Sequence, residues 1–116
     1  MNPDLSNGAL QVVYVTAESR EEALRLAKEV VSERLAACAN VIDHMQSVYW
    51  WDGELQHDSE AVLILKTRRA LVEPLTKRIL DLHSYDCPCV AALPIEGGNG
   101  DYLDWISNET SSRAKT

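Results

Sequence analysis

Several things are scarce in this 116-residue chain, and each scarcity removes a class of function. Only 11 residues are Lys or Arg against 18 Asp or Glu, a formal net charge of −7. Nucleic-acid binding and docking on an anionic membrane both draw on clustered basic side chains, so neither partner is expected. Three cysteines, Cys38, Cys87 and Cys89, make an odd set without framework spacing. That argues against a secreted disulfide scaffold and for a reducing compartment. No apolar run approaches the length of a membrane span. Met1 to Gly8 has neither a basic stretch nor an apolar run, so no signal peptide is read there and a cytoplasmic location is expected. Repeats and low-complexity tracts are absent. So are a Ser/His/Asp set, a carboxylate dyad at a strand end and a phosphate-binding loop, which argues against an enzyme. The Gly97-Gly98-Asn99-Gly100 run precedes a helix, but Asp101 is expected to cap that helix itself.

What is present suits one domain with a core of its own. Hydrophobic residues make up 46% of the chain, enough to fold without staples, and no metal is required for folding. A single domain is expected over residues 9–110, with loose termini at 1–8 and 111–116. Leu10 to Val15 reads as a buried strand. Ser19 and Glu22 form a capping box that opens a helix. Its buried stripe is Ala23, Leu24, Ala27, Val30, Val31 and Leu35, and Glu21–Arg25 is an i,i+4 pair on the wet face. Ala36 to Trp51 reads as one long strand, Asp52-Gly53 as a tight turn, and Glu54 to Thr67 as the return strand. A second helix spans 70–83 with Leu71, Val72, Leu75, Ile79 and Leu82 inward, Pro74 falling in its first turn. Val90 to Ile95 is the last strand, placed at an edge by Pro94. A short helix over 101–109 buries Leu103 and Ile106. The order βαβ–βαβ with right-handed crossovers sets both main helices on one face of a four-stranded antiparallel sheet, an α+β, ferredoxin-like sandwich.

The central hairpin is too long for the globule. Sixteen extended residues, 36–51, reach roughly 50 Å, against a diameter of about 35 Å for a compact chain of this size. The tip carries Tyr49, Trp50 and Trp51. An overhanging ribbon with three rings in water is a sticky patch, so the tip is expected to pack on another copy in a closed ring.

The chain also resembles a known family. Val12 to Ala17 leading into the Ser19 helix, Leu35-Ala36-Ala37-Cys38-Ala39-Asn40-Val41, and Ser47-Val48-Tyr49-Trp50-Trp51-Asp52-Gly53 are similar to segments of the CutA family, named for divalent-cation tolerance. So are Glu60 with Leu63-Ile64-Leu65-Lys66-Thr67, His83-Ser84-Tyr85 with Pro88, and Tyr102-Leu103-Asp104-Trp105. The resemblance covers about Val12 to Ile106. It implies a ferredoxin-like fold, a stable homotrimer joined through the 36–67 hairpin with an architecture like that of the PII signalling proteins, and a link to divalent cations, chiefly copper. Some bacterial members hold copper through a Cys at the end of the first strand and two adjacent His after the second helix. Here Val15 and Leu82 stand at two of those places, only His83 matches, Ser84 replaces a common Pro, and Cys89 stands where Glu is usual.

Two candidate sites follow. His83, Cys87 and Cys89 offer an imidazole and two soft thiols suited to copper or another divalent metal, though a fourth ligand is missing. Lys66 and Glu60 share a strand face and, with Tyr49, Asn40 and Trp51, are expected to line a polar pocket between subunits for an anionic small molecule, or to form an interface ion pair. Cys38 is read as a small core residue. His44 and His57 are read as solvated, facing Ala61 and Val48 across the hairpin. A copper-chaperone thiol pair is absent from the first βα loop, Thr16-Ala17-Glu18-Ser19. The favoured reading is a trimeric metal-response protein without turnover; the alternative is a PII-like small-ligand module.

Overall fold

The computed structural model of the protein describes residues 9–111; the termini expected to be loose lie outside that range except Ser111, whose hydroxyl donates to Asn108 O at 2.9 Å. Strands β1 (Leu10–Ala17), β2 (Cys38–Trp51), β3 (Glu54–Arg68) and β4 (Val90–Pro94) alternate with helices α1 (Arg20–Ser32), α2 (Val72–Leu82) and α3 (Gly100–Glu109). The sheet runs β2-β3-β1-β4, with every neighbouring pair antiparallel. Both crossovers skip a strand, as the ferredoxin-like order requires. β4 is an edge, so Pro94 forfeits no ladder bond on its outer side.

Helix α1 starts where the Ser19 hydroxyl accepts from Glu22 N–H at 3.1 Å. The reciprocal arm of the capping box reaches one residue further back than expected, because Glu22 Oε1 accepts from Glu18 N–H at 3.0 Å. The buried stripe of α1 takes in Leu26, which is fully buried, while Leu24 is only half-buried. With Ala23, Ala27 and Val30, Leu26 follows an i, i+3, i+4, i+7 pattern that Leu24 breaks. Arg25 pairs with Glu22 at 3.6 Å rather than with Glu21. In α2, Leu75 and Ile79 are the fully buried anchors, and a 3₁₀ turn over Arg69–Leu71 precedes them.

These helices cover one face of the sheet. Val13, Val15 and Ala17 of β1, with Ala61, Leu63 and Leu65 of β3, meet Ala23, Leu26 and Val30 of α1 and Leu75 and Ile79 of α2. Truncating a fully buried leucine here, such as Leu65→Ala, costs about 2–5 kcal/mol. On the opposite face α3 covers one end, setting Leu103 and Ile106 over Leu10. Arg34–Glu109 at 2.8 Å and Arg68 to Ser107 Oγ at 2.8 Å tie α3 down. The α3 cap is Asn99, whose side chain accepts from Asp101 N–H at 3.1 Å, and not Asp101. Beyond α3 the open face continues as Val12, Tyr14, Val62, Ile64, Ile42 and Leu93, and Ile42 and Leu93 are more than half exposed. No helix among the described residues is long and apolar enough to cross a membrane.

Candidate functional site

The hairpin positions the site through one irregularity. Asp52 and Gly53 both have positive φ, 52° and 78°, as a type I′ turn demands. From the turn inward the pairing runs from Trp51↔Glu54 to Met45↔Glu60, then resumes at Ile42↔Val62. Asp43 and His44 together oppose Ala61 alone, a β-bulge with His44 at φ 63° and its N–H bound to Asp43 Oδ1 at 2.7 Å. His44 therefore has no direct partner, while His57 faces Val48 as expected and binds Gln46 Oε1 at 2.9 Å. Side chains alternate faces along a strand, so the extra residue reverses parity. Before the bulge Cys38, Asn40 and Ile42 point to the open face; beyond it Met45, Ser47, Tyr49 and Trp51 do. Tyr49 and Trp51 thereby join Glu60 and Thr16.

The loop after α2 supplies the other wall. His83 is wholly shielded from solvent at its side chain. Its Nε2 meets Thr16 O at 2.7 Å, and its Nδ1 accepts from Tyr85 N–H at 3.0 Å. A carbonyl on one nitrogen and a donor on the other define a neutral ring with the proton on Nε2. Glu22 braces the same loop, accepting from Ser84 N–H at 2.9 Å. Tyr85 packs on His83 with centroids 4.7 Å apart and the rings tilted by 44°, and donates its hydroxyl to Glu60 Oε2 at 2.9 Å. Loop and hairpin enclose a cleft of about 630 Å³ lined by Thr16, Ser47, Tyr49, Trp51, Glu60, Ser84, Tyr85, Asp86, Cys87 and Cys89.

The cleft is electronegative. Two carboxylates line it and no basic side chain does. Burial, then the hydrogen bond to Glu60, pushes the Tyr85 hydroxyl well above its ordinary range. Burial, then the Glu60 charge, raises the Cys89 thiol. Tyr49 is raised by its hydrogen bond to Asp58.

The expected sites map onto this geometry unevenly. Glu60, Tyr49 and Trp51 line the cleft, but Lys66 and Asn40 do not. Lys66 lies six residues along β3 from Glu60, roughly 20 Å. Its ammonium donates to Asn40 Oδ1 and sits 3.6 Å from Cys38 Sγ, which in turn is 3.8 Å from Tyr102 OH. Cys38 is thus half-buried on the open face rather than in the core. Cys87 and Cys89 are exposed free thiols on the cleft wall. As arranged, both His83 nitrogens are hydrogen-bonded, so the ring would have to release Thr16 O or the Tyr85 N–H to join Cys87 and Cys89 at a metal. Among the described residues no group of three or more His, Cys, Asp or Glu side chains is placed to hold a metal ion. Thr16, Ser47, Ser84, Tyr85 and Asp86 were not foreseen in the site; their roles depend on the loop's path over the sheet, and the signal that pointed to this loop was the family-like His83-Ser84-Tyr85 run.

Comparison with known proteins agrees with this architecture. The family profile described as CutA1 divalent ion tolerance protein matches residues 11–109. The chain is 50% identical over 99 residues to Protein CutA 1, chloroplastic, of Oryza sativa subsp. japonica, covering 85% of this chain but 56% of that protein. It thus spans little more than half the length of that plant relative. It is 43% identical over 100 residues to the divalent-cation tolerance protein CutA of Thermus thermophilus, covering 86% of this chain and 97% of that one. The crystal structure of CutA1 from Oryza sativa superposes with a TM-score of 0.86 at 48% identity, covering 90% of this chain and 95% of that chain. The chain belongs to the CutA1 divalent ion tolerance protein family.

Proposed function

We propose that the protein acts in divalent-cation tolerance as a homotrimer joined through the 36–67 hairpin, without catalytic turnover. The observation that carries this reading is unsatisfied apolar surface. One chain measures 48 × 27 × 22 Å, and its long axis is out of proportion to its length. On the side of the hairpin turned away from the cleft, Val48, Trp50 and Leu55 are 65%, 73% and 62% exposed. The sheet face beyond α3 exposes Ile42 and Leu93. A ribbon and a sheet face of this kind are covered most simply by sister copies, each hairpin used once in a closed ring. Copper or another divalent metal enters as the cation tolerated, not as a cofactor needed for folding. Three free thiols, Cys38, Cys87 and Cys89, support a reducing compartment such as the cytoplasm.

Sedimentation equilibrium at micromolar concentration tests the assembly: a mass of three chains is expected, and a one-chain mass overturns it. Trp50→Asp is expected to yield monomers with unchanged far-ultraviolet circular dichroism, because Trp50 touches little of its own chain.

A second reading, a PII-like small-ligand role, draws its support from the preformed cleft between Tyr49, Trp51 and the 84–89 loop alone.

A further inference from the structure

We infer that this cleft is a binding site for a small organic cation, of the ammonium class, and not for the anion that Lys66 suggested. Lys66 is roughly 20 Å away and its ammonium is hydrogen-bonded to Asn40. What remains in the cleft is the donor set that recognises a positive charge without a metal. Trp51 and Tyr49 are aromatic walls of the cleft, brought to this side by the bulge. Aromatic ring faces attract a desolvated cation through their quadrupole. Glu60 and Asp86 supply full negative charges, and Tyr85 occupies only one oxygen of Glu60.

The walls are preorganised. The His83 ring pins the loop to the end of β1 through Thr16 O, and Tyr85 pins it to β3 through Glu60. A ligand therefore meets a formed site and spends little on ordering it. A volume near 630 Å³ accommodates a small ligand with room for water. The Glu60 charge that adds to burial in raising Tyr85 and Cys89 also faces any cation in the cleft. The inference requires the cleft side of the hairpin, Tyr49 and Trp51, to stay open while sister copies cover the opposite side, Val48, Trp50 and Leu55.

The test uses the purified protein in its native assembly, with choline as the probe and 3,3-dimethyl-1-butanol as its uncharged isostere. Choline is expected to titrate saturably by calorimetry and to shift the Trp51 indole resonance. The isostere is expected to bind at least tenfold more weakly. Trp51→Leu and Glu60→Gln are each expected to weaken choline about tenfold, the cation–aromatic and charge contributions respectively. Glu60→Gln keeps an acceptor for Tyr85, and Trp51 is exposed, so both variants retain the fold. Equal affinity for the isostere, a preference for pyrophosphate over choline, or no saturable binding because a neighbouring copy fills the cleft would each overturn the inference. The sedimentation mass of the same samples reports separately on the trimer.

Discussion

Glu22 and His83 show how much one residue's meaning depends on partners distant in sequence. Glu22 is only 6% exposed at its side chain, yet stays ionised. Burial alone pushes its carboxyl up, but hydrogen bonds from Ser84 and Glu18 together bring it below 4.5. A carboxylate whose folded pKa is depressed stabilises fully above its unfolded value and progressively less as pH falls through the folded one. Wild type is therefore expected to exceed Glu22→Gln in urea midpoint at pH 7, and the gap to narrow as pH drops below 4.5. A gap independent of pH would refute this. The Ser19–Glu22 spacing announced the cap, but nothing nearby in sequence announced Ser84, 62 positions on. Likewise an imidazole four residues from a thiol reads as a ligand, until Thr16 O, 67 positions away, takes one of its nitrogens.

Among the elements, the bulge in β2 has the largest functional effect. Helices and strands were legible because periodicity, caps and the Asp52-Gly53 turn state them locally. The bulge was not, because neither Asp43 nor His44 is glycine and the flanking Ile42, Met45 and Gln46 fit a regular strand as well. That one extra residue decides which face receives Tyr49 and Trp51. It also explains why counting pairs from the turn matched His57 with Val48 but set His44 opposite Ala61 alone, a place it shares with Asp43. His44 holds φ 63°, a conformation that costs a non-glycine residue roughly 1–2 kcal/mol. Its side chain is 93% exposed, so little packing is lost on removing it. His44→Gly is expected to raise stability by about 1 kcal/mol in urea unfolding, and His44→Val to lower it. A destabilised His44→Gly would mean that the imidazole is held by something other than its backbone.

For the whole molecule, the decisive quantity is the reach of the ribbon against the body that carries it. This was readable from strand length, and the 48 Å axis agrees with it. The two-sidedness of the candidate sites was less readable. Lys66 and Glu60 share a face by parity, as expected, yet one sits beside α3 and the other under the 84–89 loop, because strand rise separates them. Only the three-dimensional path of the loop tells which end of the face becomes a cleft. The exposed Trp50 and Trp51 at the far end of a two-stranded ribbon have a further consequence. A chain that has not assembled offers chymotrypsin two adjacent cleavage positions in its least protected backbone. Brief digestion is expected to nick the Trp50→Asp monomer next to Trp51 while sparing the wild-type assembly, so that susceptibility at this spot becomes a direct gauge of how many chains remain without sisters.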